Sequence, residues 1–305
     1  MKGDYPLKVG KTLTQTLQKD RLISQKLQGG RENMSLGIVI KGPEGLVLAA
    51  ESRITLGAQL ATPQGNQQIP VFFDNATKLL SFSEPNTTVG VVTYGQAVIG
   101  QQTPRTAASF LPEFEAGLPK ERLTIEQFAE KISEFYLKQW RATMPPDDKI
   151  ATIPNMTFVV AGFNPDEIYG QVFVVDIPRV PKPIARGTET EFGITFGGQH
   201  EIVSRIMNGY DVRLPEVLQK GLNLSPEQVT KFGTIIKQFQ LMVPLQVLAL
   251  QDGVDLACFF IRTTMDAQRF SVGIRGVGGA IDVAVIKRNQ DLQFIQRKHE
   301  HGESE

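Results

Sequence analysis

The sequence has few cysteines and histidines and no long apolar run, the features that mark disulfide-bonded, metal-binding and membrane-spanning proteins. Its 305 residues include a single cysteine, Cys258, so an internal disulfide is excluded. Of its three histidines, His299 and His301 lie close to the C-terminus, and no cysteine or acid cluster supports a metal site around His200. No apolar run reaches the roughly 18 residues that a membrane-spanning helix needs. We therefore expect no metal and no membrane partner.

The chain also lacks an excess of either charge. It has 32 basic and 32 acidic residues, and 41% of its residues are apolar, which is typical of a soluble globular protein. A nucleic-acid partner is not expected, because such proteins carry basic patches or stripes. The N-terminus has no basic segment followed by an apolar one, so we expect a cytoplasmic protein rather than a secreted one.

A glycine-rich stretch, Gly273 to Gly279, invites comparison with phosphate-binding loops. It precedes a predicted strand instead of opening a helix, and no Lys-Ser or Lys-Thr follows it. We therefore expect no nucleotide and no other cofactor. Cys258 lies in an apolar stretch with helical character, which favours a buried structural thiol over a reactive one.

The chain alternates between groups of strands and groups of helices. Apolar and β-branched runs bounded by turn residues predict strands over 36–40, 46–50, 78–82, 88–94, 156–161, 171–175 and 281–286. Helical spacing of apolar residues predicts helices over 97–114, 124–141, 200–208, 226–242 and 252–266. This order predicts an α+β, four-layer αββα sandwich, in which two antiparallel sheets stack face to face and helices cover both outer faces.

Three parts of the chain are distinguished by composition. Residues 1–33 form an N-terminal extension or propeptide with a weakly amphipathic helical pattern over 13–27. Residues 34–290 form the main domain, with a helical insertion at about 208–251. Residues 291–305 are a charged C-terminal tail, too polar to bury much surface.

Residues 34–57 read MSLGIVIKGPEGLVLAAESRITLG, and this segment resembles the first hairpin of proteasome subunits and of bacterial proteasome-like N-terminal-nucleophile (Ntn) hydrolases. The resemblance rests on the Ile-Lys-Gly-x-x-Gly turn, the apolar second strand and the acid-Ser-Arg-x-Thr sequence after it. Residues 78–82, 93–95 and 278–286 also resemble segments of this family, so the resemblance extends over most of 34–288.

The resemblance implies a catalytic site made of Ser35, Glu51, Lys78 and Gly95. In this family the first residue of the mature chain attacks a carbonyl through its hydroxyl, and its own α-amine serves as the base. Ser35 takes that position here, Lys78 would lower the pKa of the amine, and Glu51 would keep Lys78 charged and oriented. The backbone N–H of Gly95 would face the oxyanion. The implied activity is that of a peptidase or amidohydrolase acting on a peptide or a small amide, within a homo-oligomeric ring.

This chemistry requires that nothing precedes Ser35, because an amide nitrogen is not a base. Residues 1–34 would be removed by autocleavage, or translation would begin at Met34, with that methionine then removed.

Departures from the family pattern support an alternative function. Residues 275–279 read Arg-Gly-Val-Gly-Gly and lack the acid and the hydroxyl that active members often carry there. Glu51 stands where catalytic subunits usually have Asp, and a Glu there is common in non-catalytic α subunits. The alternative is therefore a non-catalytic structural subunit of a ring or cage, in which residues 1–33 are retained.

Overall fold

Twelve strands and six α-helices account for most of the part of the chain that this computed structural model describes, residues 35–62, 65–146, 154–299 and 302. The strands are β1 Leu36–Gly42, β2 Gly45–Glu51, β3 Ile54–Thr62, β4 Gly65–Phe73, β5 Leu79–Ser81, β6 Val89–Gly95, β7 Met156–Gly162, β8 Gln171–Ile177, β9 Val180–Ala185, β10 Gly193–Gly198, β11 Ile281–Ile286 and β12 Gln293–Gln296. The helices are α1 Leu111–Ala116, α2 Ile125–Thr143, α3 Glu201–Asn208, α4 Leu214–Leu222, α5 Pro226–Ile236 and α6 Leu250–Arg269.

All described residues belong to one compact unit. The predicted N-terminal extension, including its helical pattern over 13–27, lies outside the described residues.

The described strands form three antiparallel sheets. Sheet 1 has the order β10-β1-β2-β11-β12, and sheet 2 has the order β5-β6-β7-β8-β9. The strands β3 and β4 pair only with each other and form a separate hairpin. Antiparallel sheets combined with helices agree with the predicted α+β class.

Three apolar clusters form the core. The first joins sheet 2 to α2 through residues that include Val91, Phe158, Val175, Phe128, Ile132 and Trp140. The second joins sheet 1 to α6 through residues that include Ile38, Val47, Val283, Val254, Ala257 and Ile261. The third contains residues of both sheets, among them Val39, Leu48, Ala284, Val92, Val159 and Val174. Successive strand residues point to opposite faces, so Ile38 and Val39 belong to different clusters.

Helix α2 forms where the sequence predicts a helix over 124–141. Thr124 caps it: its hydroxyl accepts a hydrogen bond from the N–H of Gln127, and the Gln127 side chain accepts one from the N–H of Thr124. Its apolar residues recur at helical spacing, and Ile125, Phe128, Ile132 and Trp140 are fully buried. Tyr136 is buried as well and donates its hydroxyl proton to the carbonyl of Ala107 at 2.7 Å.

Several predicted elements are wrong. The sequence predicts a helix over 97–114, but the backbone from residue 97 to residue 107 is irregular, and only Ala108–Phe110 and α1 are helical. Gly100 there has φ +108°, which a helix cannot accommodate, and Pro104 lacks the N–H that a helix interior requires. The helix predicted over 226–242 ends at Ile236.

Other elements are missing from the prediction. The strands β3, β4, β9 and β10 are not predicted, and β12 lies beyond the strand that the sequence predicts as the last. Strand β12 falls within 291–305, the segment interpreted as a charged tail, and it pairs with β11 at the edge of sheet 1. The segment 208–251 contains α4 and α5. Across the described residues, no helix is both long enough and apolar enough to cross a membrane.

Candidate functional site

Three of the four predicted site residues are joined by hydrogen bonds. The Nζ atom of Lys78 donates to Ser35 Oγ at 2.9 Å, to Glu51 Oε1 and to the carbonyl oxygen of Arg53. A lysine ammonium has three protons, so these bonds use its full donor capacity. Ser35 immediately precedes β1, Glu51 ends β2, and Lys78 immediately precedes β5, so the site lies where strands of the two larger sheets begin and end.

The carboxylate of Glu51 is surrounded by donors. In addition to Lys78, it accepts hydrogen bonds from the N–H groups of Leu36 at 3.3 Å, Arg53 at 2.7 Å and Gly278 at 3.0 Å. Both oxygens accept hydrogen bonds from described residues, which is the environment of an ionised carboxylate. Glu51 is 1% exposed. Its negative charge is therefore compensated entirely by protein groups.

Burial sets the electrostatics of this pair. Burial raises the pKa of Glu51, and the charge and hydrogen bond of Lys78 act in the opposite direction. Burial likewise lowers the pKa of Lys78, against the attraction of Glu51. Each charge is stable because the other is present. A lysine with a lowered pKa is also a stronger hydrogen-bond donor to the oxygen of Ser35 than a solvated lysine is.

Gly95 lies beside the same group of residues. Ser35, Lys78 and Gly95 all line a cavity of about 20 Å³, together with residues that include Ile54, Thr93 and Met156. That volume is about the room that one water molecule requires. Gly95 has φ +89°, and a Cβ there would lie 2.2 Å from the carbonyl oxygen of Asn155. Only glycine fits this position, so the backbone borders the cavity directly.

A second glycine, which the sequence analysis does not place in the site, fixes Ser35. The carbonyl oxygen of Ser35 accepts a hydrogen bond from the N–H of Gln199 at 2.6 Å. Gly198 has φ +88°, and a Cβ on it would lie 1.9 Å from that same oxygen. Gly198 ends β10, and helix α3 begins at Glu201.

Arg53 connects the segments that carry Glu51 and Lys78. Its guanidinium binds the carboxylate of Asp74 through two hydrogen bonds, of 2.6 and 2.7 Å, and donates to the carbonyl oxygen of Arg275 at 3.0 Å. The motif acid-Ser-Arg-x-Thr draws attention to Arg53, but its partner Asp74 carries no sequence signal. Together these residues close the base of the β3–β4 hairpin.

The described residues contain no group of three or more His, Cys, Asp or Glu side chains that could hold a metal ion. Cys258 is buried on α6, as predicted, and burial raises the pKa of its thiol. A thiol in this environment is poorly reactive.

No protein-family model matches the sequence, and no curated protein matches it. Among solved structures, the chain is similar to the Anbu (Gly-1) mutant from Hyphomicrobium sp. strain MC1. The sequence identity is 13%, the match covers 87% of this chain and 86% of that chain, and the TM-score is 0.48. Similarity at this level assigns no activity and no functional residue.

Proposed function

We propose that this protein is a proteasome-type Ntn hydrolase with the four-layer αββα arrangement, and that it cleaves amide bonds in peptides or small amides with Ser35 as its nucleophile. The observation that carries the proposal is the 2.9 Å hydrogen bond from Lys78 Nζ to Ser35 Oγ within a buried network that includes Glu51. A serine hydroxyl is a weak nucleophile unless a base accepts its proton and nearby groups stabilise the charge that develops.

In the proposed reaction, the Ser35 oxygen attacks the substrate carbonyl carbon and its proton moves to the free α-amine of the same residue. Lys78 stays hydrogen-bonded to that oxygen, and its positive charge lowers the pKa of the amine. The backbone N–H of Gly95 donates to the oxyanion. As the tetrahedral intermediate collapses, the amide C–N bond breaks, and the leaving nitrogen takes the proton from the ammonium.

The second half of the reaction removes the acyl group from Ser35. A water molecule attacks the ester carbonyl and gives a proton to the α-amine, which then returns it to the Ser35 oxygen as the ester bond breaks. The products are a free carboxylic acid and the regenerated hydroxyl. Throughout both steps Glu51 balances the charge of Lys78.

The reaction requires Ser35 to be the first residue of the mature chain. Autocleavage before Ser35, or translation from Met34 followed by removal of that methionine, would provide the free amine. The proposal further includes a cytoplasmic location and a homo-oligomeric ring, on the strength of the family resemblance in residues 34–57 and 278–286.

The test is a Ser35→Ala variant assayed with fluorogenic peptides and small amides. We expect hydrolysis to disappear, because the variant lacks the hydroxyl to which Lys78 donates. A matched control is Ser133→Ala, which changes a buried serine on α2 whose environment is the first core cluster and β9. Turnover by Ser35→Ala equal to that of Ser133→Ala would eliminate Ser35 as the nucleophile.

One observation favours a second candidate, a non-catalytic subunit of a ring or cage. Ser35 is 2% exposed and the adjoining cavity has a volume of about 20 Å³, which is far below the several hundred Å³ of ligand sites. A protein of this kind would retain residues before Ser35 and would hydrolyse no substrate in its assembled form. Absence of turnover in both the parent protein and Ser35→Ala would favour this candidate.

A further inference from the structure

Two glycines lie opposite each other on sheet 1, close to Ser35. Strand register pairs Gly37 of β1 with Gly197 of β10, and Gly37 is only two residues after Ser35. Alternate residues of a strand share a face, so Gly37 lies on the same face as Val39, which belongs to the cluster between the two larger sheets. Because neither glycine has a side chain, the pair leaves a gap in this face, which we call the glycine slot.

The ring of Tyr94, which comes from β6 on sheet 2, fills the glycine slot. A Cβ on Gly37 would lie 2.9 Å from Cδ1 of Tyr94, and a Cβ on Gly197 would lie 2.3 Å from its hydroxyl oxygen and 2.4 Å from its Cζ. Real Cβ atoms do not make contacts this short. Both positions therefore require glycine for as long as the ring lies there, and the large side chain of one sheet interdigitates with the gap in the other.

Tyr94 connects the two halves of the candidate site. It immediately precedes Gly95, the proposed oxyanion donor, and it lines the same small cavity as Ser35. The ring contacts sheet 1 at Gly197, two residues before Gln199, whose N–H donates to the carbonyl oxygen of Ser35 at 2.6 Å. A single rigid side chain thus joins the strand that ends in the oxyanion donor to the strands that hold the nucleophile.

We propose that Tyr94 is a positioning residue, whose ring sets the distance between Ser35 and the N–H of Gly95 by filling the glycine slot. This inference rests on the proposed function, in which Ser35 attacks the substrate and Gly95 stabilises the oxyanion. Such a donor must lie about 2.7–3.1 Å from the oxyanion. A misplacement of about 1 Å can lower a rate roughly a hundredfold, so the packing of the two sheets at this point controls the reaction.

The shape of Tyr94 carries this role, and its titration does not. Burial raises the pKa of the Tyr94 hydroxyl, and the negative charge of Asp176 acts in the same direction. A phenol whose pKa lies above the usual value of about 10 stays protonated near neutral pH, so it does not serve as a base there. A phenylalanine ring would fill the slot equally well.

The first experiment tests the glycine slot without any assay of activity. Gly197→Ala is introduced into the parent protein and into a Tyr94→Leu variant, which lacks the ring atoms nearest to Gly197, and urea unfolding is followed by the fluorescence of Trp140. The new methyl group meets the ring in the parent, so the urea midpoint should fall there and change far less in the Tyr94→Leu background. If Tyr94→Leu does not fold, Tyr94→Met replaces it.

The matched control for this cycle is Gly193→Ala, at the start of the same strand, where a Cβ would meet nothing within 4 Å. It should change the urea midpoint equally in both backgrounds. If Gly197→Ala also acts equally in both backgrounds, the ring does not fill the slot and the inference is overturned.

The second experiment measures kcat and KM for amide hydrolysis at a temperature at which every variant is folded. Tyr94→Phe should hydrolyse amides as fast as the parent, because its ring still fills the slot. Tyr94→Leu should lower kcat roughly 10- to 100-fold with KM nearly unchanged, because the displaced donor weakens an interaction made in the transition state.

Two kinetic results would overturn the inference. A Tyr94→Phe variant as slow as Tyr94→Leu would show that the hydroxyl acts directly, and a Tyr94→Leu variant with the parental kcat would show that the ring positions nothing. A parent protein that hydrolyses no amide has a different meaning. The proposed function then fails, and the role of Tyr94 in the reaction fails with it, even where the first experiment confirms the slot.

Discussion

Replacing Glu51 by glutamine removes the negative charge of the buried pair while almost preserving its shape. The glutamine side chain offers one accepting oxygen and one donating nitrogen, so its nitrogen faces donors wherever it points: Leu36 N and Lys78 on one side, Arg53 N and Gly278 N on the other. Lys78, 5% exposed, is left without a counter-charge. Breaking a buried ion pair by removing one partner costs about 3–5 kcal/mol.

That cost is a large part of a total stability of about 5–15 kcal/mol. In a chain of this size we expect a fall in Tm of roughly 5–10 °C and a lower midpoint of urea unfolding. Trp140, the single tryptophan, is fully buried in the first core cluster on α2, so its fluorescence reports global unfolding rather than a local change at Glu51.

Glu216→Gln is the matched control, since Glu216 pairs with Lys220 at 2.5 Å on α4 with both side chains exposed. Solvent screens such a pair, so no measurable change is expected there. The reasoning is refuted if Glu51→Gln and Glu216→Gln unfold at the same urea concentration, because the Glu51 charge then contributes nothing to the folded state.

Two further predictions concern the backbone and the pH dependence of the site. Gly198→Ala places a Cβ 1.9 Å from the carbonyl oxygen of Ser35 at positive φ, so we expect it to lower the free energy of unfolding by at least about 1–3 kcal/mol and to displace Ser35. The control Gly221→Ala lies in open space within α4 and should raise the free energy of unfolding by roughly 0.5–1 kcal/mol. Equal urea midpoints for the two variants would contradict this prediction. The profile of kcat/KM against pH should be bell-shaped. We expect kcat/KM to fall on acidification, because the α-amine of Ser35 must be neutral to act as a base. It should fall again at high pH as Lys78 loses its proton. That second fall should occur below the usual lysine pKa of about 10.4, because burial lowers the pKa of Lys78. A profile that keeps rising beyond that range would show that the charge of Lys78 is not required.

Local patterns predicted the elements that build the site. The turn at Gly45 (φ +153°) and the apolar runs on either side of it identify β1 and β2, and the spacing from Ser35 to Glu51 follows directly, because no insertion lies between them. The structure then brings Lys78 within hydrogen-bond distance of Ser35.

The contacts that sequence reasoning missed are those between distant segments. The β3–β4 hairpin includes Gly57, Asn66 and Pro70, residue types that are depleted in strands and weaken the strand signal. Asp74 forms its ion pair with Arg53 only because the β3–β4 hairpin brings the chain back to Arg53. Gly198 and Gly278 contact Ser35 and Glu51 across long separations in the sequence, and neither contact has a local sequence signature.

The central claim is that Ser35 supplies both the nucleophile and, through its free amine, the base. The intact mass of the protein purified from its native host, with a C-terminal tag, tests it most directly. The account predicts a mature chain that begins at Ser35 in every preparation that hydrolyses amides. A hydrolytically active preparation whose chain retains residues before Ser35 would contradict it, because the nitrogen of Ser35 would then be an amide and would not act as a base.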